Sequence, residues 1–440
     1  MVVSNANNLT STPRPARRRL YVVAAFGGVL VACAAVVLFI NLSRFDEPLD
    51  PALAALETSR PAFAPDNAYP AALEFLAADA RNPHVAEIAG DIRKNFESLK
   101  CYARRYLDCA ELLIAEVAGI DALQPRAAVL FERYDALVRH THFVDTPERD
   151  AETRFPRYNA IRDVARLRLA ISYRSESTPE FLIEAEEDLA FWKTVLREGD
   201  SLGTKMVALA HLQDTLDFLS TLLRERELHE TEVTFLEQLV SPFSREESNI
   251  SEAFLAEART AVWSEIPPVA ADASWLTKLL MQRNATLNQL YHEEIVLMQQ
   301  RARVGANEFY EQGAHEPLRR ELRLVPRTLY NFGGKLALSR SRWDAHEFPA
   351  RVHDQNGRIS LVLLQAEIER TPGADVAAVV RASKHRNPYT SEAMEYDPGA
   401  GVISFKCQHT AFHPPEPPDL CAVAVAPLGD KPVVRKYPVT

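Results

Sequence analysis

Apolar residues follow two patterns along this chain: one unbroken run near the start, then recurrence at steps of three and four for most of the length. The run is Leu20 to Ile40, LYVVAAFGGVLVACAAVVLFI, 21 residues without a charge. As a helix it is roughly 32 Å long, about the thickness of a bilayer's hydrocarbon core, and a helix satisfies its own backbone where lipid offers no partner. From about residue 71 to 330 the spacing is helical. Leu202, Met206, Leu209, Leu212, Leu216, Leu219 and Leu223 predict one apolar face of a long helix, with Asp200 or Ser201 as its cap. The helix before it is predicted to open at Thr178-Pro179, to bury Phe181, Leu182, Leu189, Trp192 and Leu196, and to close at Gly199. Others centre near 84–99, 109–119, 126–139, 157–173, 230–240, 251–264 and 284–303, with no fixed repeat period.

The pattern changes after residue 330. A helix over Ile359 to Arg370 is followed by a short apolar helix and then by brief runs punctuated with Gly, Pro and Asn. Strands are predicted near 394–396, 402–407 and 421–425, as an antiparallel meander. The fold class expected is therefore mainly α: a single transmembrane helix, an irregular multi-helix array and a small C-terminal α+β module. The boundaries expected are a basic tail (1–19), an anchor (20–42), a proline-rich linker in a semi-extended path (43–70), a helical body (71–330) and the terminal module (331–440).

Charge gives the first run an orientation. Arg14, Arg17, Arg18 and Arg19 precede it with no acid in residues 1–41, while Asp46, Glu47 and Asp50 follow it. The positive-inside rule then puts the N-terminus in the cytoplasm and everything past residue 42 outside, tethered to the bilayer through residues 20–42. A cleaved signal would carry a shorter apolar stretch, and the lipobox-like Leu30-Val31-Ala32-Cys33 is followed by AVVLFI, which suits a membrane better than a new N-terminus. The chain's net charge is −10, so the exported part carries −14, which argues against a nucleic-acid partner. Forty arginines against ten lysines suggests a GC-rich bacterial genome, and so an inner membrane with a periplasmic body.

In that oxidising compartment the four cysteines beyond Cys33 read as disulfides. Sequence proximity favours Cys101–Cys109 and Cys407–Cys421. The first needs a helix break, which Asp108 and Glu111 would supply as a capping box; the second would staple two neighbouring strands. Zinc is the rival for Cys407, His409, His413 and Cys421, but the spacing matches no recurrent zinc module.

Asn387-Pro388-Tyr389-Thr390, Met394-Glu395-Tyr396 and Gly401 to Phe405 resemble an ending found on bacterial envelope proteins, in which a pseudopilin-like helix precedes a turn, a short strand and a final strand. Ser391-Glu392 stands where that ending has glycine. The whole layout resembles uncharacterised single-pass inner-membrane proteins of gammaproteobacteria. The resemblance implies an anchored periplasmic protein and no particular activity.

Candidate chemistry is sparse. The chain lacks G-x-S-x-G, a Walker loop and G-x-G-x-x-G. His292-Glu293-Glu294 begins like a zincin, but position 296 is Val. Glu247-Ser248 has the Glu-Ser start of lytic transglycosylases without their glycines, His140-Thr141-His142 with Asp145 reads as a polar loop, and Ser201 to Lys205 lacks S-x-x-K spacing. Pro414 to Pro418 reads as a rigid connector. Trp192, Trp263, Trp275 and Trp343 are core or groove residues. No catalytic residue, cofactor or metal is assigned. The function expected is non-catalytic binding or assembly of another envelope or secreted protein; the alternative is an envelope hydrolase with an unfamiliar site.

Overall fold

The helix Leu202–Glu225 organises the larger part of the molecule. In the computed structural model 16 of its 24 residues are buried, among them His211, Asp214, Thr215 and Ser220 as well as the leucines. Thr178–Glu198, Tyr158–Ser175 and Glu347–Glu369 pack around it. The single apolar face predicted from the leucines is thus only part of what is enclosed, because helices cover it from several sides. The structure describes residues 15–41, 45–58, 64–78, 82–99, 109–145, 155–175, 177–263, 274–313, 330–340, 347–371, 373–408 and 420–425.

The chain divides into two compact units. One comprises Met1–Ala54, Ser264–Leu290 and Arg320–Arg342; the other comprises Ala55–Trp263, Tyr291–Arg319 and Trp343–Thr440. In the larger unit the helix boundaries follow local chemistry. Ser177, one residue before the predicted cap, precedes Thr178–Glu198, and its N–H donates to the Glu180 carboxylate at 3.1 Å. Ser201 caps the central helix by accepting the Thr204 N–H at 3.1 Å. Cys109–Ala115 and Val117–Val138 are separated at Glu116, whose side chain accepts the Gly119 N–H at 3.2 Å. Val117–Val138 runs through Pro125 instead of starting after it, since one proline removes one backbone bond without ending the helix. The predicted 359–370 helix extends back to Glu347, with Pro349 in its first turn.

The fold is mainly helical, and the one sheet among the described residues is the expected meander. Strands β1 (Glu395–Asp397), β2 (Val402–Lys406) and β3 (Leu420–Ala424) pair antiparallel in that order, with Tyr396 opposite Ile403 and Phe405 opposite Cys421. Gly401, at φ 63°, makes the turn into β2. Helix Glu347–Glu369 covers the sheet, and Gly357 lets the Phe405 ring approach: a Cβ there would lie 2.3 Å from Phe405 Cζ. The turn before β1 is held by Asn387, whose N–H donates to Glu392 O and whose O accepts the Ser391 N–H. Ser391 itself takes the left-handed conformation, φ 59°.

In the smaller unit, Pro15–Ile40 is one continuous helix. Tyr21–Ile40 has mean hydropathy 2.7 and no burial, so it is long and apolar enough to cross a membrane. The stretch expected as a semi-extended linker contains the helices Pro51–Thr58 and Tyr69–Leu73, because prolines at Pro51 and Pro70 stand in first turns, where a missing N–H costs nothing.

Candidate functional site

Among the described residues, several singled out for chemistry are used as structural clamps. His140 Nδ1 lies 2.7 Å from Asp66 Oδ1, while the N–H and hydroxyl of Thr141 both donate to Asp66 Oδ2 at 2.9 Å. These bonds, with that from the Thr141 backbone strongest, lower the Asp66 carboxyl below its usual range. His142 turns instead to Glu198, at 3.1 Å. The two histidines therefore serve different carboxylates and do not converge with Asp145. Glu247 accepts the Ser244 N–H in a capping box on the four-residue helix Arg245–Ser248. His292, Glu293 and Glu294 belong to a π turn, Tyr291–Ile295.

Asp145 carries the most elaborate arrangement. It is buried, and its Oδ2 accepts from Ser201 Oγ at 2.6 Å, Thr204 Oγ1 at 2.7 Å and Ser201 N at 3.2 Å; Oδ1 accepts from Asp200 N. Tyr158 OH adds a contact to Thr204 Oγ1 at 2.8 Å. Lys205 Nζ reaches back to the carbonyls of Leu196, at 2.5 Å, and Arg197, at 3.2 Å, at the C-terminus of the preceding helix. Burial pulls the Lys205 amine down to about 8, against the pull of Asp145 and Asp200. Burial, reinforced by Asp145, pushes Asp200 up to about 6. A serine, a carboxylate and a lysine are close here, but the serine's proton goes to Asp145 and its oxygen accepts the Thr204 N–H. The trio joins the end of one helix to the start of the next.

Deeper in the unit, Asp188 is fully enclosed. Tyr134 OH and Thr215 Oγ1 donate to it, and Trp192 Nε1 donates to Tyr134 at 2.9 Å. Burial raises the Asp188 carboxyl despite these bonds. Trp192 stacks on His211 with ring centroids 3.5 Å apart, and burial holds that imidazole neutral. One turn on, Asp214 receives Arg162 through two bonds of 2.5 and 2.8 Å and Arg166 at 2.6 Å. Burial opposes its ionisation, yet the two guanidiniums hold it at about 2. A cavity beside this core, lined by Leu189, Lys193, Leu212 and Leu216, is about 10 Å³, room for one water and far below a ligand's needs.

Cys407, just past β2, and Cys421, in β3, lie at disulfide distance, Cα–Cα 5.4 Å. Asp354 stands beside both sulfurs, occupied by Tyr389 OH at 2.6 Å and Gln408 N at 2.9 Å. With the sulfurs joined, neither offers a thiolate to a metal. Cys109 is disulfide-bonded and buried at the start of its helix; Cys101 lies outside the described residues, as do Asp108, His409, His413, Pro414 to Pro418 and Trp343. Trp192 is core, whereas Trp275 is exposed, so the tryptophans divide.

The smaller unit holds a feature with no sequence motif. Asn41, the residue after the apolar run, donates to Val37 O at 2.8 Å and accepts the Phe332 N–H at 3.3 Å. Asn331 Oδ1 accepts from Gln282 N and Thr286 Oγ1, and Gly333 N donates to Leu280 O at 2.8 Å. Asp46 caps Arg283–Leu290 through Asn284 N and Ala285 N. Asn41, residues 45–50, 280–288 and 330–335 are therefore joined by polar contacts next to the end of the apolar helix.

Comparison with protein-family models, curated proteins and solved structures finds no match to this chain.

Proposed function

We propose that this chain is a non-catalytic, single-pass inner-membrane protein whose body lies in the periplasm and binds or assembles another envelope or secreted protein. The observation that carries the reading is the helix Tyr21–Ile40, long, apolar and with none of its residues buried. In water such a surface would drive aggregation, whereas a bilayer covers it. The four arginines before it and the acids after it support an exported body. The Cys407–Cys421 pair supports an oxidising compartment. The Asn387–Ser391 turn, with its left-handed fifth residue, supports the resemblance to bacterial envelope proteins.

Binding is preferred over hydrolysis because His140, His142, Asp145, Ser201 and Glu247 are engaged with the chain itself. Reporter fusions at Thr440 test the orientation: activity is expected from a periplasmic reporter, and activity from a cytoplasmic one reverses it. Crosslinking in intact cells followed by detergent extraction tests the partner. A stoichiometric envelope protein is expected. Recovery of the chain alone, together with cell-wall or lipid hydrolysis by the purified protein, would overturn the reading in favour of an enzyme.

A further inference from the structure

The smaller unit exposes large apolar side chains close to where the apolar helix ends. Trp275 is 75% exposed, Leu279 51%, Phe332 43% and Phe45 42%. Trp275 and Leu279 lie four residues apart on one face of the short helix Trp275–Leu279, whereas Thr277 and Leu280 are buried on its other side. The glycine pair before Lys335 permits that packing. A Cβ on Gly333 would lie 1.9 Å from Thr277 O, and one on Gly334 would lie 2.0 Å from Thr286 Oγ1. The backbones are thus in direct contact, and the outward direction of Trp275 and Leu279 is fixed.

Two hydrogen bonds tie this short helix to the end of the apolar one. Phe332 N donates to Asn41 Oδ1, and Gly333 N donates to Leu280 O. Phe45 joins from the chain's exit, its ring 5.0 Å from Phe39 inside the apolar run, and Tyr330 OH donates to Phe45 O. Asp46 and Glu47 bind Asn284 and Asn288, which holds the exit segment down.

The geometry points to an interfacial foot: Trp275, Leu279, Phe332 and Phe45 rest in the headgroup zone of the bilayer leaflet from which the apolar helix emerges. This rests on the membrane reading above and adds a second lipid contact to it. A five-residue helix is about 7 Å long, comparable with the interfacial zone of about 5–8 Å on each side of the hydrocarbon core. An indole with its N–H favours that depth, where one side is apolar and the other wet. The occupant is lipid because these side chains continue directly from a surface that only a bilayer would cover.

The test uses the full chain reconstituted in phosphatidylglycerol–phosphatidylcholine vesicles, with and without bromine on the acyl chains. Subtracting the emission of Trp275→Phe from that of the unaltered protein isolates Trp275. Blue-shifted emission, loss of most of it in brominated lipid and little response to aqueous acrylamide are the expected results. Moving the reporter one turn along the same face, in Trp275→Phe/Leu279→Trp, should give the same quenching. A Trp275 signal quenched by acrylamide and not by bromine overturns the foot while the chain still floats with the vesicles. A signal quenched by neither also overturns it, since protein would then cover the face. Release of the chain from the vesicles by alkaline wash sinks the membrane reading and the foot together.

Discussion

Replacing Asp145 with alanine separates a structural clamp from a catalytic dyad. The carboxylate is buried and accepts from two backbone N–H groups and two hydroxyls at the start of the central helix. Without it, Ser201 Oγ and Thr204 Oγ1 can still bond each other, being 3.0 Å apart, so their loss is small. The N–H groups of Asp200 and Ser201 have no such recourse. Two hydrogen bonds to a charged acceptor, at about 1.5–3 kcal/mol each, are together worth about 3–6 kcal/mol. The opposing term is relief of repulsion, because burial raises the carboxyls of Asp200 and Glu257 and Asp145 adds a smaller push in the same direction. That relief is about 1 kcal/mol in all, leaving a net loss of about 2–5 kcal/mol. Native-state hydrogen exchange suits a chain of two units, since it reads opening locally. Amides from Thr204 to Ala208 should exchange at least about thirtyfold faster, as about 1.4 kcal/mol is a factor of ten. Asp145→Asn should recover only part of this, because the charge is removed. Unchanged exchange in Asp145→Ala, with loss of a hydrolytic activity, would refute the clamp and make Ser201 and Asp145 a working pair.

Three further outcomes follow from the larger unit. Ser391→Gly should raise stability by about 1 kcal/mol, because a left-handed non-glycine residue is strained by that amount; a lower urea midpoint would show that its side chain matters more than its φ. Cys407→Ser opens a crosslink of sequence separation 14, worth about 3 kcal/mol in the chain-entropy model, and should loosen the sheet while far-UV dichroism stays helical. His353 is buried and pulled down to about 4, so between pH 6.5 and 4 the unfolded chain binds a proton that the folded chain refuses. Its contribution is complete above pH 6.5 and declines as pH falls towards 4, by at most about 3 kcal/mol. His353→Phe should flatten the stability–pH curve in that window, and an unchanged slope would assign it to other groups.

Legibility differed by the range of the interactions involved. The apolar run, the leucine spacing of the central helix and the strands around Cys407 and Cys421 were all readable, because each depends on residues within one or two turns or a short loop. Helix ends were less so: Ser177 displaced Thr178 as cap, and Pro125 did not interrupt its helix. His140, His142 and Asp145 lie in the expected polar loop, yet their contacts were not legible. The three are near in sequence, but their partners Asp66, Glu198 and Ser201 come from three separate places.

By itself, then, the sequence determined the membrane-length helix, the mainly helical class and the terminal meander, since apolar length and periodicity are properties of a segment alone. Tertiary structure alone decided that Asp188 and Asp214 are buried, one supplied with hydroxyls and the other with guanidiniums. It also joined Asn41 to Phe332, 291 residues apart. Burying a charge or a backbone donor is tolerable only where a partner already stands opposite, and such partners are brought together only when distant segments pack.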